Sequence, residues 1–452
     1  MTTLIKFGYA FLVMLFPTIL FGATFPLVTT ICVQDPKSMG REIGMVNAVN
    51  TIGATLGALL AGFLFIAAFG IQKSIMFTAW LNICIGFVLL AFIHFKNKKT
   101  KVVYLTCSLV LFLLITSMIP AWDKLRMSTS FLEPNQEIEK ALTMEYYHED
   151  AFGITSVVEF TPWTQKYLIS NRIYTQNTSD LMGLEDHRRL GHIPLLLHKD
   201  PEKALVIGLG AGITLRGVSE HQLKNVDVVE IAEGVKNAAK YFSKENNHVL
   251  ENPHNNFIIE DGRNYVATSK KKYDVIIADI YFPMSSGSSN MFSQEYFELL
   301  KARLNEGGLM AQWLPLHQLS MDEVKIIVNT FTSVFPNTSL WYGMTGESVP
   351  VAGLIGMDER LTIHVDSLMQ KYQSPVLKKE LREVALDDPF LLLNNFIMEG
   401  NSINQFVGNV PINTDNNPIL EFMSPKLHGE HGEQNQLIFD SLKEDPTAYI
   451  EK

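Results

Sequence analysis

The apolar run Leu205–Val206–Ile207 passes without a break into Gly208–Leu209–Gly210–Ala211–Gly212. Few folds accept such a run, because a buried strand that ends in a glycine turn must hand the chain directly to a helix packed on the same sheet. The arrangement is that of a doubly wound α/β fold. Acidic residues recur where later strands should end: Glu230 after Val226–Asp227–Val228–Val229, Asp261 with Gly262, and Asp279 after Asp274–Val275–Ile276–Ile277–Ala278. Carboxylates at such strand ends suit an adenine nucleoside.

Gly208 and Gly210 let the backbone bend and approach a ligand with no Cβ in the way, and Gly212 lets the next helix pack close to the strand. Glu230 follows roughly 20 residues beyond the glycines, where a carboxylate reaches both ribose hydroxyls. The spacing is G-x-G-x-G and not the G-x-G-x-x-G of dinucleotide sites, which favours S-adenosylmethionine or a close relative over NAD.

Four apolar runs come first, at about Phe7–Cys32, Ile43–Phe69, Ser74–Phe95 and Val102–Ile119. Each is long enough to cross a hydrocarbon core, which takes roughly 20 residues, and a cleaved signal peptide would not explain four of them. The second run carries Asn47, Asn50, Gly53, Gly57 and Ala61 at steps of three and four, a stripe expected to let a neighbouring helix approach closely. No Lys, Arg, Asp or Glu stands in the middle of a run, so no proton or ion relay is expected.

Topology sets two arguments against each other. Lys96, Lys98, Lys99 and Lys101 mark the loop before the fourth run as cytoplasmic, which with four spans puts the soluble part outside. Supply of a cytoplasmic nucleoside argues the reverse. The expectation is a multi-pass protein of a bacterial inner membrane with its catalytic domain in the cytoplasm, and with the first run, which holds Pro17 and Pro26, broken.

Residues 1–126 hold ten Lys and Arg against three Asp and Glu, which leaves 27 against 44 for the rest. So acidic a soluble part is a poor partner for nucleic acid. Cys32, Cys84 and Cys107 all fall in apolar runs, and His, Cys and carboxylates never cluster at ligand spacing, so neither disulfide nor metal is expected in the soluble part.

The organisation expected is a transmembrane helical domain over residues 1–126, a small β-meander over 127–178, a Rossmann-like nucleoside-binding catalytic domain over 179–426 and a polar tail over 427–452. Runs at residues 153–160 and 166–169, with Pro162–Trp163 between them, form the meander. A helix with Leu190, Ile193 and Leu196 on one face leads into the glycine strand, and strands and helices alternate to about Phe335. Beyond it the hydrophobic pattern weakens.

The meander, His192–Ile193–Pro194–Leu195, the glycine turn, Val228–Val229–Glu230, Asp261–Gly262, Tyr273–Asp274–Val275–Ile276–Ile277–Ala278–Asp279 and Gly307–Gly308, in that order, resemble the spermidine synthases, the polyamine aminopropyltransferases. The membrane-fused variety is similar also in Asn50–Thr51–Ile52–Gly53–Ala54, Leu190–Gly191–His192, Gln312–Trp313–Leu314–Pro315–Leu316–His317 and Asn413–Thr414–Asp415. The resemblance implies the Rossmann-like spermidine-synthase/methyltransferase fold, an α/β fold, behind an α-helical membrane domain. It also implies that Glu230 holds the ribose and Asp261 the adenine amino group, while Asp279 stands where the catalytic aspartate deprotonates or orients the attacking amine. The nucleoside is then the substrate and no cofactor is needed.

Three positions depart from that family. Ala211 stands where the glycine turn normally has an aspartate, Phe282 replaces the second acid of D-x-x-D-P, and Asp186–His187–Arg188 replaces Tyr-His/Gln-Glu. An ammonium buried without a partner costs several kcal/mol, so these changes count against a diamine. Arg188 or Arg189 would instead pair bidentately with the carboxylate of intact S-adenosylmethionine. That carboxylate is then positioned to attack its own Cγ and expel methylthioadenosine, leaving homoserine lactone, which is similar to the S-adenosylmethionine lyases built on this fold.

Three readings follow. A lyase and an aminopropyltransferase both cleave the Cγ–S bond, and Ala211 and Phe282 tilt the expectation to the lyase. The third is a non-catalytic nucleoside sensor that governs the membrane domain. The expected binding residues are Gly208, Gly210, Gly212, Glu230, Asp261, Gly262, His187, Arg188 and Tyr281. Tyr281 would stand beside the sulfonium, with a core role as its alternative, and His317 is either a pocket residue or a structural histidine. The expected partners are a small-molecule substrate, the lipid bilayer and a second copy of the chain.

Overall fold

The computed structural model describes residues 2–33, 36–93, 98–129, 140–178, 181–279, 288–344, 350–427 and 431–449. The chain divides into two compact units, Met1–Ala121 and Trp122–Lys452.

The first unit carries four helices long and apolar enough to cross a membrane, with none of their apolar stretches buried by protein. They are α1 (Thr2–Cys32), α2 (Met39–Phe69), α3 (Ile71–Phe92) and α4 (Lys98–Met118). Two expectations need correction. The first run is not broken: Pro17 and Pro26 both lie inside the continuous helix α1, because each proline deletes one backbone bond and a helix of this length retains the others. At Gly53 and Gly57 of the stripe on α2, nothing among the described residues lies within 4 Å of a built Cβ, so no neighbour approaches closely there.

The second unit begins with an antiparallel meander, β1 (Leu142–Asp150), β2 (Gly153–Phe160), β3 (Gln165–Ser170) and β4 (Ile173–Asn177), in that spatial order. Val157 and Leu168, paired across β2 and β3, face an apolar cluster with Ala211 and Phe242, and Val158 and Ile169 on the opposite face are buried as well. Helix α5 (Leu181–Leu197) follows and turns Leu190, Ile193 and Leu196 into the core.

An eight-stranded sheet forms the centre, in the order β12-β10-β11-β9-β8-β5-β6-β7. Strands β5 (Lys203–Ile207), β6 (Asn225–Glu230), β7 (Asn255–Ile259), β8 (Tyr273–Ala278) and β9 (Leu304–Pro315) run parallel. Read by sequence, this half is wound outward in both directions from β5, so the switch point lies between β5 and β8. Ligands bind at such points, outside the carboxyl ends of the strands. Helices α6 (Ile213–Ser219), α7 (Glu233–Ala238), α8 (Gly262–Thr268), α9 (Gln294–Lys301) and α10 (Met321–Val334) lie between the strands in sequence. Helices α5 and α6 cross in backbone contact: a Cβ on Gly191 would sit 2.4 Å from the Thr214 carbonyl oxygen, and one on Gly217 2.3 Å from that of Arg188.

Past Phe335 the fold continues where the sequence pattern fades. Strands β10 (Asn337–Met344), β11 (Val351–Met357) and β12 (Phe396–Glu399) extend the sheet antiparallel from β9. Gly353 pairs directly with Trp313, and the indole occupies the space a side chain there would need. Helix α11 (Pro375–Glu383) packs beyond them, with Leu377 and Leu381 buried. The expected polar tail is also corrected. Its helix α12 (Gly432–Ser441) buries Phe439 completely, and the Asn435 side chain donates to the carbonyls of Leu316 (2.7 Å) and Leu319 (2.6 Å).

Candidate active site

The glycine turn closes the carboxyl end of β5. Gly208, Gly210 and Gly212 all have positive φ (+95°, +53° and +82°). At Gly208 the requirement is double, because a Cβ would also sit 2.9 Å from the Asp279 carbonyl oxygen. Backbone bonds tie this point to both neighbouring strands: Gly208 N–H donates to Val229 (2.9 Å) and Asp279 N–H to Ile207 (3.0 Å).

Glu230 ends β6 and folds back over the turn. Its carboxylate accepts from the backbone N–H groups of Leu209 and Ala232, each at 3.0 Å. Burial pushes this carboxyl up, while the Ala232 and Leu209 N–H groups pull it down. The N–H groups of Ile231 and Gly210 also bear on this carboxylate and pull it down.

At the end of β7 the exposed Asp261 caps α8, accepting from Asn264 N–H at 2.8 Å. The next residue, Gly262, is buried with no room for a side chain, since a Cβ would lie 2.6 Å from Ile207 Cγ2. Asp279 follows β8, and its Oδ1 is buried with no hydrogen-bond partner among the described residues. The turn, Glu230, Asp261–Gly262 and Asp279 thus occupy the carboxyl ends of four adjacent parallel strands.

The remaining expectations fare differently. His187 lies on α5 near enough to His317 to lower its imidazole, although burial is the larger cause of that shift. Tyr281 and Phe282 lie outside the described residues. Arg188 needs correction as a ligand for a substrate carboxylate. It is buried, and its guanidinium bonds Glu383 at 2.7 Å and Glu380 at 3.3 Å, both on α11. Arg216 shares the same two carboxylates. Arg189 is also engaged, with Asn395 and Asp186. A buried cation takes the partner that folding supplies, and here the acids come from a part of the chain almost two hundred positions away.

Ala211 is buried in an apolar cluster with Val157, Leu168, Ile213, Ala238 and Phe242. One residue without an assigned role joins the site: Gln312, paired with Ala278 across β8 and β9, is buried with its Oε1 unpartnered among the described residues. A lone amide in the apolar stretch Leu309–Leu316 was the available signal. No group of three His, Cys, Asp or Glu among the described residues is arranged to hold a metal.

Known proteins match this part of the chain. The profile of the Spermine/spermidine synthase domain matches residues 184–348. The polyamine aminopropyltransferase of Methanocaldococcus jannaschii is 32% identical over 179 residues, which are 39% of this chain and 60% of that protein. That of Serratia proteamaculans is 36% identical over 148 residues, 32% of this chain and 50% of that protein. The chain therefore spans about half to three fifths of the curated relatives it matches. The crystal structure of the Thermotoga maritima spermidine synthase is similar over 59% of this chain and 87% of that one, at 21% identity and a TM-score of 0.47. Residues 184–348 are a spermidine-synthase-like domain, and its homologues are polyamine aminopropyltransferases.

Proposed function

We propose that the chain is a membrane-attached aminopropyltransferase that takes decarboxylated S-adenosylmethionine and an amine and releases 5′-methylthioadenosine. One observation carries this reading: the buried Oδ1 of Asp279, without a partner among the described residues, at the switch point of the sheet. A buried carboxylate oxygen left without a donor is costly unless a ligand supplies one. An attacking amine would do so.

In this reading Gly208, Gly210 and Gly212 admit the nucleoside to the backbone, and Glu230 accepts from the ribose hydroxyls. Asp261 and Gly262 hold the adenine. His187 lies along the aminopropyl path, and Gln312 adds an acceptor for a cationic group. The amine nitrogen attacks the carbon bonded to the sulfonium sulfur, a C–N bond forms, and the C–S bond breaks with its electron pair going to sulfur. The neutral thioether leaves, and the nitrogen gives up a proton that Asp279 receives or orients toward solvent. The nucleoside is the substrate, and no cofactor takes part.

The pairing of Arg188 with Glu380 and Glu383 counts against its service as the cation of a lyase. One observation still favours that second reading. An apolar environment at Ala211 offers no carboxylate to the amino group of an aminopropyl chain.

The full chain should form an aminopropylated amine from decarboxylated donor plus polyamine, seen by mass spectrometry, and Asp279→Asn should slow it by about 100-fold or more. Homoserine lactone formed from intact S-adenosylmethionine without amine would establish the lyase instead. No turnover of either nucleoside would leave a sensor. The soluble unit belongs in the cytoplasm with its substrate, and a reporter fused after Lys452 that is active only outside the membrane would overturn that placement.

A further inference from the structure

Asn413–Thr414–Asp415 contributes no group to the site, yet it grips the chain on both sides of it. Asn413 is completely buried. Its side chain donates to the carbonyls of Ser289 (3.0 Å) and Phe292 (3.1 Å) and accepts from Leu420 N–H (3.3 Å). Its backbone N–H donates to Thr330 Oγ1 at 2.9 Å, and its carbonyl accepts from Gln294 N–H at 3.0 Å. The single turn Ser289–Phe292 is thereby held from the C-terminal side.

Arg263 holds the same turn from the other side. It is the residue after Gly262, and its Nη1 donates to the Asn290 carbonyl (2.5 Å), Ser293 Oγ (3.0 Å) and Asp415 Oδ1 (2.9 Å). Its Nη2 bonds the other oxygen of Asp415, a fork that fixes orientation as well as distance. Asp415 is fixed in turn, its N–H donating to Glu295 on α9 at 3.0 Å. Met291, within the clamped turn, packs 3.5 Å from where a Gly262 Cβ would be.

Helix α8 has seven residues. A helix so short cannot hold its own position, which is set by whatever it is tied to. Its far part is tied by the Tyr265 hydroxyl to the buried Asp227 at 3.2 Å. Its first turn, which carries Asp261 and Gly262, is tied by Arg263.

From this we infer that Arg263, Asp415 and Asn413 are positioning residues for the adenine end of the site, setting where Asp261 and Gly262 meet the base. The inference rests on the reading of Asp261 as the acceptor for the adenine amino group. A nucleoside with a carbonyl in place of that amino group turns an acceptor toward Asp261 at the position where adenine offers a donor, so the clamp governs the choice between the two bases.

Titration calorimetry of the full chain in detergent, with 5′-methylthioadenosine and 5′-methylthioinosine as probes, tests it. The wild type should favour the adenine nucleoside on the order of tenfold, one hydrogen bond to a charged acceptor. Asp415→Asn and Arg263→Lys should each narrow that preference to about threefold or less by weakening the adenine nucleoside alone, since a lysine keeps the charge and loses the fork. The exchanged pair R263D/D415R should recover part of it. Arg263→Lys also reports if Asp415→Asn does not fold. Variants that retain the full preference, or lose both nucleosides equally, overturn the inference while leaving Asp261 in its role. A wild type that binds both nucleosides alike removes that role, and the inference with it.

Discussion

The carbonyl oxygen of Asp279 lies 2.9 Å from the point a Gly208 Cβ would occupy. Two strand ends, 71 positions apart, meet with only a hydrogen atom's room between them.

Gly208→Ala should therefore damage catalysis more than folding. The positive φ costs an L-residue about 1–2 kcal/mol, and the new methyl group must push Asp279 from its place. Single-turnover release of methylthioadenosine should fall at least tenfold beyond what the melting temperature accounts for. A folded variant with wild-type turnover would show that the position of Asp279 is not critical.

Glu230→Gln should weaken methylthioadenosine binding by about 1.5–3 kcal/mol, the range for hydrogen bonds to a charged group. Some stability should go with it, because a glutamine turns an NH2 toward one of the backbone donors at Leu209 and Ala232. Unchanged affinity by calorimetry would remove Glu230 from the ribose.

Arg188→Ala should be a stability variant with little effect on KM. Breaking a buried ion pair costs about 3–5 kcal/mol, and the low end applies because Arg216 still bonds Glu380 at 2.8 Å. The carboxyl of Glu383, held down chiefly by its bond to Arg188, should rise. A stable variant with a raised KM for S-adenosylmethionine would return Arg188 to the site.

Acid should weaken the fold through a histidine pair. His192 Nδ1 and His221 Nε2 lie 3.0 Å apart in the interior. Burial, then the charges of Arg188 and Arg216, pull His192 down to about 3. His221 is lowered by burial, by His192 and by Lys371. Unfolded, each histidine takes up a proton below about pH 6.5, which the folded chain refuses, so stability is present above that pH and lost as the pH falls toward 3. The slope should approach about 1.4 kcal/mol per pH unit for each histidine. Urea midpoints at pH 7 and pH 5 check this: His192→Gln should show a smaller drop than the wild type, and an equal drop would mean that other groups control acid unfolding.

Features that depend on neighbours along the chain are legible in the sequence alone. The run into Gly208, the acids after β6, β7 and β8, and the four apolar stretches each follow from local period, turn chemistry or length, because a strand end or a span is a property of a few consecutive residues. Fading alternation beyond Phe335 misleads for the same reason. Strands β10 and β11 run eight and seven residues and β12 only four, and their burial comes from β9 and the helices that cover them.

Arg188 marks the boundary most clearly. Its type and place on α5 suggest a substrate carboxylate, whereas Glu380 and Glu383 are anonymous acids in a polar stretch. Only the packing of α11 against α5 and α6 brings them together, and a buried charge then pairs with the partner that is nearest in space. The apolar surroundings of Ala211 and the clamp of Arg263 on Asp415 arise in the same way. Sequence by itself marked the glycine turn, the strands that carry the acids and the four apolar stretches, since those are local consequences of side-chain shape and polarity. Tertiary structure decided which charges neutralise one another and which are left facing the site, since that depends on contacts between residues far apart along the chain.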